Sequence, residues 1–209
     1  MENRQRILEA AARVYSQHGF RGATTRLIAQ EADVNEVTLF RTFGSKEALI
    51  EEAMRHCAQS AQFAVLPDEP VDPERELAAW CASHMAHMRR QSRMIRACMA
   101  DFAERPEVAP GACAGPVLAW RELQRYLARL RELDLIDREV NLEVAGAMFM
   151  SAGFGDAMGR DMFSEMFAGP VDEAAREYTR LFLRAIGSCQ KNSLRPNGRQ
   201  AAARTHSAN

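Results

Sequence analysis

The stretch ATTRLIAQEADVNEVTLFRTFGSK, Ala23 to Lys46, decides the fold. Thr24 or Thr25 supplies an N-cap hydroxyl for a short helix over roughly Thr25 to Ala32. Leu27, Ile28 and Ala32 fall at helical spacing and give it one apolar face. Ala29 is small where a second helix must cross closely. Asp33 stands at the turn, where a positive φ is often required and Asp tolerates it. Val34 is suited to plug the angle between the helices, and Asn35 to cap the next helix, Glu36 to Phe43. Leu39 and Phe43 lie four apart and point inward, leaving Glu36, Val37, Thr38, Arg41 and Thr42 mostly outward. That arrangement is a helix-turn-helix, whose second helix carries side chains able to read base edges in a major groove. Gly44 ends it, Ser45 caps again, and Lys46 opens a further helix.

Before this stretch, Ile7, Ala11, Val14, Tyr15 and His18 form a helical face, and Gly19 is a C-cap. After it, Leu49, Ile50, Ala53, Met54 and Cys57 point inward along a connecting helix that continues to about Phe63. PDEPVDP, Pro67 to Pro73, is a boundary, with Asp72 and Pro73 opening a helix to about Arg90. Ser92 caps a helix bearing Met94, Ile95, Cys98, Met99 and Phe102. Glu104 to Gly115 reads as a loop because of Pro106, Pro110 and Gly111, and Pro116 opens a long helix to Leu133. Its apolar residues are Leu118, Trp120, Leu123, Leu127 and Leu130. Asp137 caps a helix to about Met158, and Asp172 opens a last one to Ile186, closed by Gly187. Residues 190–209 are polar and basic and predict a disordered tail. The fold class is all-α, divided as 1–46, 47–66, 67–189 and 190–209.

The bulk properties narrow the function. A formal net charge of -1 excludes a global polycation, so nucleic-acid affinity would come from local placement and from doubling the site. Met1 is followed by charged residues, which predicts no signal peptide, and no apolar run reaches the ~20 residues of a membrane span. The 5 cysteines are scattered without a CxxC, which predicts a reducing, cytoplasmic setting.

Ile7 to Ile50, ILEAAARVYSQHGFRGATTRLIAQEADVNEVTLFRTFGSKEALI, resembles the DNA-binding domain of the TetR family of bacterial transcriptional regulators. The matching positions include Gly19-Phe20, Thr24-Thr25, Ile28-Ala29, Thr38-Leu39-Phe40, Phe43 and Ser45-Lys46-Glu47. The resemblance covers about the first quarter of the chain. It implies phosphate contacts at Thr25, Thr38, Phe40, Thr42 and Lys46. Hydroxyls, a lysine and helix-start amides suit that task, since phosphate oxygens accept from all of them. Base reading falls to Asn35, Glu36, Val37 and Arg41, with Arg26 from the preceding helix. The chain departs from the family at Val37, where a small residue is common, at Phe40, usually Tyr, and at Thr42, often His.

The resemblance also implies a C-terminal domain for a small-molecule effector and for homodimerisation. Trp80, His84, Met88, Cys98, Phe102, Trp120 and Met148 are the candidate lining of an adaptable apolar pocket, within a region rich in Met. His84 and His87 form HxxH without further marked ligands, so packing is expected rather than a metal, and no cofactor is expected. Ser151 and Gly155, beside Met148 and Ala152, together with Tyr178, Leu181, Phe182 and Ala185, are the expected dimer interface. The expected function is a repressor released from a palindromic operator by an apolar or amphipathic effector. The rival readings are control by a protein partner or by redox at Cys57 or Cys98. A helical enzyme using His84 lacks a nucleophile, base and orienter set.

Overall fold

The computed structural model describes residues 2–59, 63–102, 109–167 and 169–188, all helix, turn or loop among those residues. The elements are α1 (Glu2–Gly22), α2 (Thr25–Glu31), α3 (Glu36–Phe43), α4 (Lys46–Gln59), α5 (Pro73–Arg90), α6 (Ser92–Phe102), α7 (Ala109–Glu132), α8 (Leu142–Gly159) and α9 (Val171–Ala185). The chain is all-α, as its periodicity predicts.

Local chemistry sets the N-terminal element ends. Thr24 is the α2 cap, its hydroxyl accepting from the Leu27 amide at 3.2 Å. Asp33 has φ 52, and the Val34 amide returns to the Ala29 carbonyl at 3.0 Å, closing the turn between α2 and α3. Asn35 caps α3 through the Val37 amide at 2.9 Å, and Ser45 caps α4 through the Ala48 amide at 3.1 Å. Asp72 caps α5 through the Arg75 amide, with Pro73 behind it.

Two apolar cores follow. Ile7, Leu8, Tyr15, Phe20, Ile28, Leu39, Leu49, Ile50 and Met54 bury one another around α1 to α4, and Met94 of α6 joins them. Leu77, Trp80, Met85, Leu123, Tyr126, Leu127, Phe149, Phe182 and Leu183 build the second core from α5, α7, α8 and α9. The helix α4 packs on α1 and then on α7, and α6 packs on α1, so both physically join the two cores.

Several expectations need correction. His18 is exposed rather than part of the α1 face, because α1 breaks at Gly19 (φ 62, ψ -176) immediately after it. The helix α7 begins at Ala109, not Pro116. Pro110 falls in the first turn, where a missing N–H breaks no helical bond, and the helix carries Pro116 in its interior. Leu118 is exposed, whereas Leu123, Leu127 and Leu130 are buried. Asp137 does not cap α8: its carboxylate accepts from the Glu139 amide, and Asn141, four residues on, caps α8 through the Val144 amide at 3.1 Å. Asp172 lies within the first turn of α9, behind Pro170, and Gly187 (φ 81) closes that helix as expected. Ser92 is the first residue of α6 rather than outside it. Residues 60–62, Glu104 and the 190–209 tail lie outside the described residues.

The helix α8 carries apolar residues on every side, interrupted by Glu143, Ser151 and Asp156. Its inner glycines serve contacts within the subunit: a Cβ on Gly146 would collide with the Gln124 side chain, and one on Gly159 with the Phe167 ring. A Cβ on Gly155 would meet nothing within 4 Å. Beside it, Val144, Met148 and Phe154 are exposed.

Candidate nucleic-acid interface

Burying Leu39 and half-burying Phe43 against the first core fixes the rotation of α3. Its opposite face is then held in water. Val37 is 70% exposed and Phe40 50%, with Arg41 and Thr42 exposed beside them. Arg26 of α2 is exposed, while Thr38 is half-buried. Apolar Val37 and Phe40 standing in water on a short helix are atypical of a solvated face and suit contact with thymine methyls and sugar edges.

Some of the expected contact groups are already engaged. The Thr25 hydroxyl donates to Glu36 Oε1 at 2.5 Å, tying the start of α2 to the start of α3. A phosphate at Thr25 would therefore displace Glu36, and the two residues act as one unit. Thr42 donates to the Thr38 carbonyl at 2.7 Å, and Asn35 Oδ1 is spent on its cap. Lys46, at the start of α4, sets its Nζ 4.1 Å from the centroid of the Phe20 ring, and the Arg4 guanidinium lies 5.1 Å from that of Phe43. Neither Phe20 nor Phe43 shows its cationic partner in sequence, because each pair joins different helices.

This geometry has relatives. The profile described as "Bacterial regulatory proteins, tetR family" matches residues 7–53. Residues 7–53 form a TetR-family DNA-binding domain. The HTH-type transcriptional regulator YvkB of Bacillus subtilis is 26% identical over 185 residues, spanning 88% of this chain and 97% of that protein. The HTH-type transcriptional repressor AcnR of Corynebacterium efficiens is 32% identical over 83 residues, 36% of this chain and 44% of that protein. Among solved structures, a TetR-family regulator from Mesorhizobium loti superposes with a TM-score of 0.74 at 18% identity, over 89% of this chain and 97% of that one. The fold of the described residues is thus all-α and like that of TetR-family regulators, with the family's own sequence pattern confined to residues 7–53.

In the second half of the chain the seven expected pocket residues do not converge on one cavity. Trp80 is in the second core, its indole donating to Glu122 Oε2 at 3.0 Å, while Glu122 Oε1 accepts from the Leu66 amide at 2.7 Å. The His84 ring stacks on Phe63 (4.3 Å) and lies against Trp80 (4.1 Å), with Nδ1 at 2.8 Å from the Trp80 carbonyl. Met88 packs against the same core, and Trp120 lies against Gly146. Cys98 instead sits at the first core, 3.9 Å from the Met54 sulfur, and Phe102 and Met148 are exposed. What does open is an apolar groove of about 440 Å³ between α6 and the end of α8. Met99, Phe154, Met158, Met162, Phe163 and Met166 line it, with Arg96 as its charged residue. The methionine richness of Met158 to Met166 is its sequence signal. Among the described residues no group of three or more His, Cys, Asp or Glu could hold a metal ion.

Burial, then the Glu9 charge, pushes the Cys57 thiol up, and burial, then Asp156, pushes Cys81 up to about 12. Both are held as thiols, the weakly reactive form.

Burial lowers the His84 pKa, outweighing the Trp80 carbonyl and Glu122, which raise it. Burial, then Arg90 and His84, also lowers that of His87. The unfolded chain therefore binds more protons than the native one just below the ordinary histidine pKa of about 6.5. The stability that neutral His84 contributes is complete above that pH and is lost as pH falls through the depressed native pKa. Thermal unfolding should show a midpoint that drops from about pH 7.5 to about pH 5.5, with a shallower drop in His84→Gln. Equal drops in both proteins would remove His84 as the source.

Proposed function

We propose that two copies of this chain bind one palindromic operator and repress transcription until an apolar or amphipathic small molecule releases them. The observation that carries this is the outward face of α3, with Val37, Phe40 and Arg41 presented to solvent by a buried Leu39. A helix of this length placed at a two-fold axis reads one half-site per copy. Base contacts are assigned to Arg26, Asn35, Glu36, Val37 and Arg41, phosphate contacts to Thr25, Thr38, Thr42 and Lys46, and apolar contact with methyls and sugar edges to Phe40. The proposed effector site is the groove between α6 and α8, where methionines adapt to ligand shape and Arg96 suits an anionic end. The helix α6 also packs on α1, so a ligand that favours one position of α6 would bias the DNA-binding domain through differential affinity. The setting proposed is the cytoplasm, and among the described residues no helix is long and apolar enough to cross a membrane.

Selection of duplexes from a random library by the purified protein tests the reading and yields the operator. Enrichment of an inverted repeat supports it, and no enrichment overturns it. On that operator Arg41→Ala should weaken binding by about 1–3 kcal/mol and relax preference at one position in each half-site. An unchanged preference profile across an operator library would remove Arg41 from base reading.

A further inference from the structure

The helix α1 breaks at Gly19, whose φ of 62 and ψ of -176 are open to glycine and strained for other residues. The break takes the Phe20 amide out of the α1 bonding pattern. That amide donates to Asp101 Oδ2 at 3.0 Å, in a half-buried contact spanning 81 residues of sequence. Asp101 is the penultimate residue of α6 and so caps, from the second half of the chain, the short helical turn that restarts after Gly19. Phe20 is buried, and its ring is the surface against which the Lys46 ammonium rests at 4.1 Å. Asp101, the Phe20 backbone, the Phe20 ring and Lys46 therefore form one continuous series of contacts from α6 to the first residue of α4.

We propose that Asp101 is a positioning residue for DNA binding: by holding the Phe20 amide it sets the ring that aims the Lys46 ammonium at a DNA phosphate. The inference rests on the DNA-binding reading above. A carboxylate capping freed amides is a strong, directional contact, because the acceptor is ionised and the amide belongs to a helix start. It fixes the Phe20 backbone, and a buried ring on a fixed backbone has few rotamers to choose from. The ring face then limits where a flexible four-carbon lysine side chain can place its charge. Loss of the carboxylate frees that chain of contacts without removing the lysine.

The test uses the full chain and a duplex selected from a random library by the wild-type protein. Binding is titrated across a salt series for the wild type, Lys46→Ala, Asp101→Ala, Asp101→Asn and the Asp101→Ala/Lys46→Ala pair. Lys46→Ala should reduce the salt slope by about one per half-site. Asp101→Ala is expected to reproduce that reduction with Lys46 still present, and the double variant to fall no further than Lys46→Ala alone. Asp101→Asn, which keeps an oxygen acceptor for the Phe20 amide, is expected to restore most of the slope. A purely structural Asp101 would weaken binding by the same factor in both Lys46 backgrounds and leave the slope unchanged, and that result overturns the proposal. If Asp101→Ala fails to fold, Phe20→Leu decides, since it keeps the amide and removes the ring: the Lys46→Ala slope supports the relay, the wild-type slope overturns it. A wild-type protein that selects no duplex overturns the DNA-binding reading and the relay together, whereas normal selection with additive variants overturns the relay alone.

Discussion

Asp156→Ala should lower the stability of the folded subunit by about 3–5 kcal/mol, the cost of leaving a buried charge without its partner. Asp156 is fully buried, on a helix whose other buried residues are apolar. Arg160 Nε reaches Asp156 Oδ1 at 2.5 Å and its terminal nitrogen reaches Oδ2 at 2.9 Å, a two-pronged match of guanidinium to carboxylate. The Tyr178 hydroxyl donates to Oδ2 at 2.8 Å, and Arg160 also donates to the Gly169 carbonyl. Burial, then the bond to Asp156, pushes the Tyr178 phenol up to about 12, so it remains a neutral donor in any physiological medium. The group therefore pins the end of α8 to α9 and to Gly169, next to the Met162 to Phe167 residues that wall the apolar groove. Calorimetry should record a fall in midpoint on the order of ten degrees for a chain of this size. Replacing both partners together, Asp156→Leu with Arg160→Met, should recover much of that loss, because no buried charge is then left alone. A fall worth less than about 1 kcal/mol for Asp156→Ala would mean that the unpaired Arg160 guanidinium finds water.

Gly155→Leu should separate the two copies while leaving each one folded. Within the subunit a Cβ at Gly155 meets nothing within 4 Å, and leucine is the better helix former by roughly 1 kcal/mol. Gly155 also lines the apolar groove, so a leucine there meets either a second copy or the groove residues of its own subunit, and the oligomeric state separates the two. The exposed stripe of Val144, Met148 and Ser151 on α8, with Leu181 and Ala185 on α9, is the face proposed for that copy. Phe182 and Tyr178 turn away from it: Phe182 is buried and stacks on Phe149 at 4.6 Å, and Tyr178 is held by Asp156. Overpacking is worth about 1–3 kcal/mol per copy. Losing simultaneous engagement of two half-sites would weaken operator binding by roughly 10²–10⁴. Sedimentation at low micromolar concentration, beside operator titration, checks both effects. A wild type that sediments as a monomer, or a Gly155→Leu dimer of full affinity, would place the contact elsewhere.

How much of this was legible in the chain varies with distance along it. The α2–α3 unit was readable almost to the residue, because its caps at Thr24 and Asn35, its positive-φ Asp33 and its buried Leu39 all act within a few residues of one another. The α7 start was not, because prolines read as breakers unless a helix can place one in its first turn and tolerate another within. The α8 cap moved from Asp137 to Asn141 for a similar reason: two cap-competent residues lie four apart, and the loop between them is held by the bond from the Asp137 amide to the Ile186 carbonyl.

By itself the sequence determined the all-α class, the helix-turn-helix and the exposure of Val37, Arg41 and Thr42, while Glu36 and Thr38 are half-buried, since hydrophobic period and capping are local properties. Tertiary structure alone decided the rest. It brought Asp101 to the Phe20 amide, buried Asp156 between Arg160 and Tyr178, and set Lys46 on the Phe20 ring. It also divided α8 into glycines that face neighbours and one that faces open space. These outcomes depend on which helices cross and at what depth, and a polar side chain carries no local mark of the partner that burial will give it.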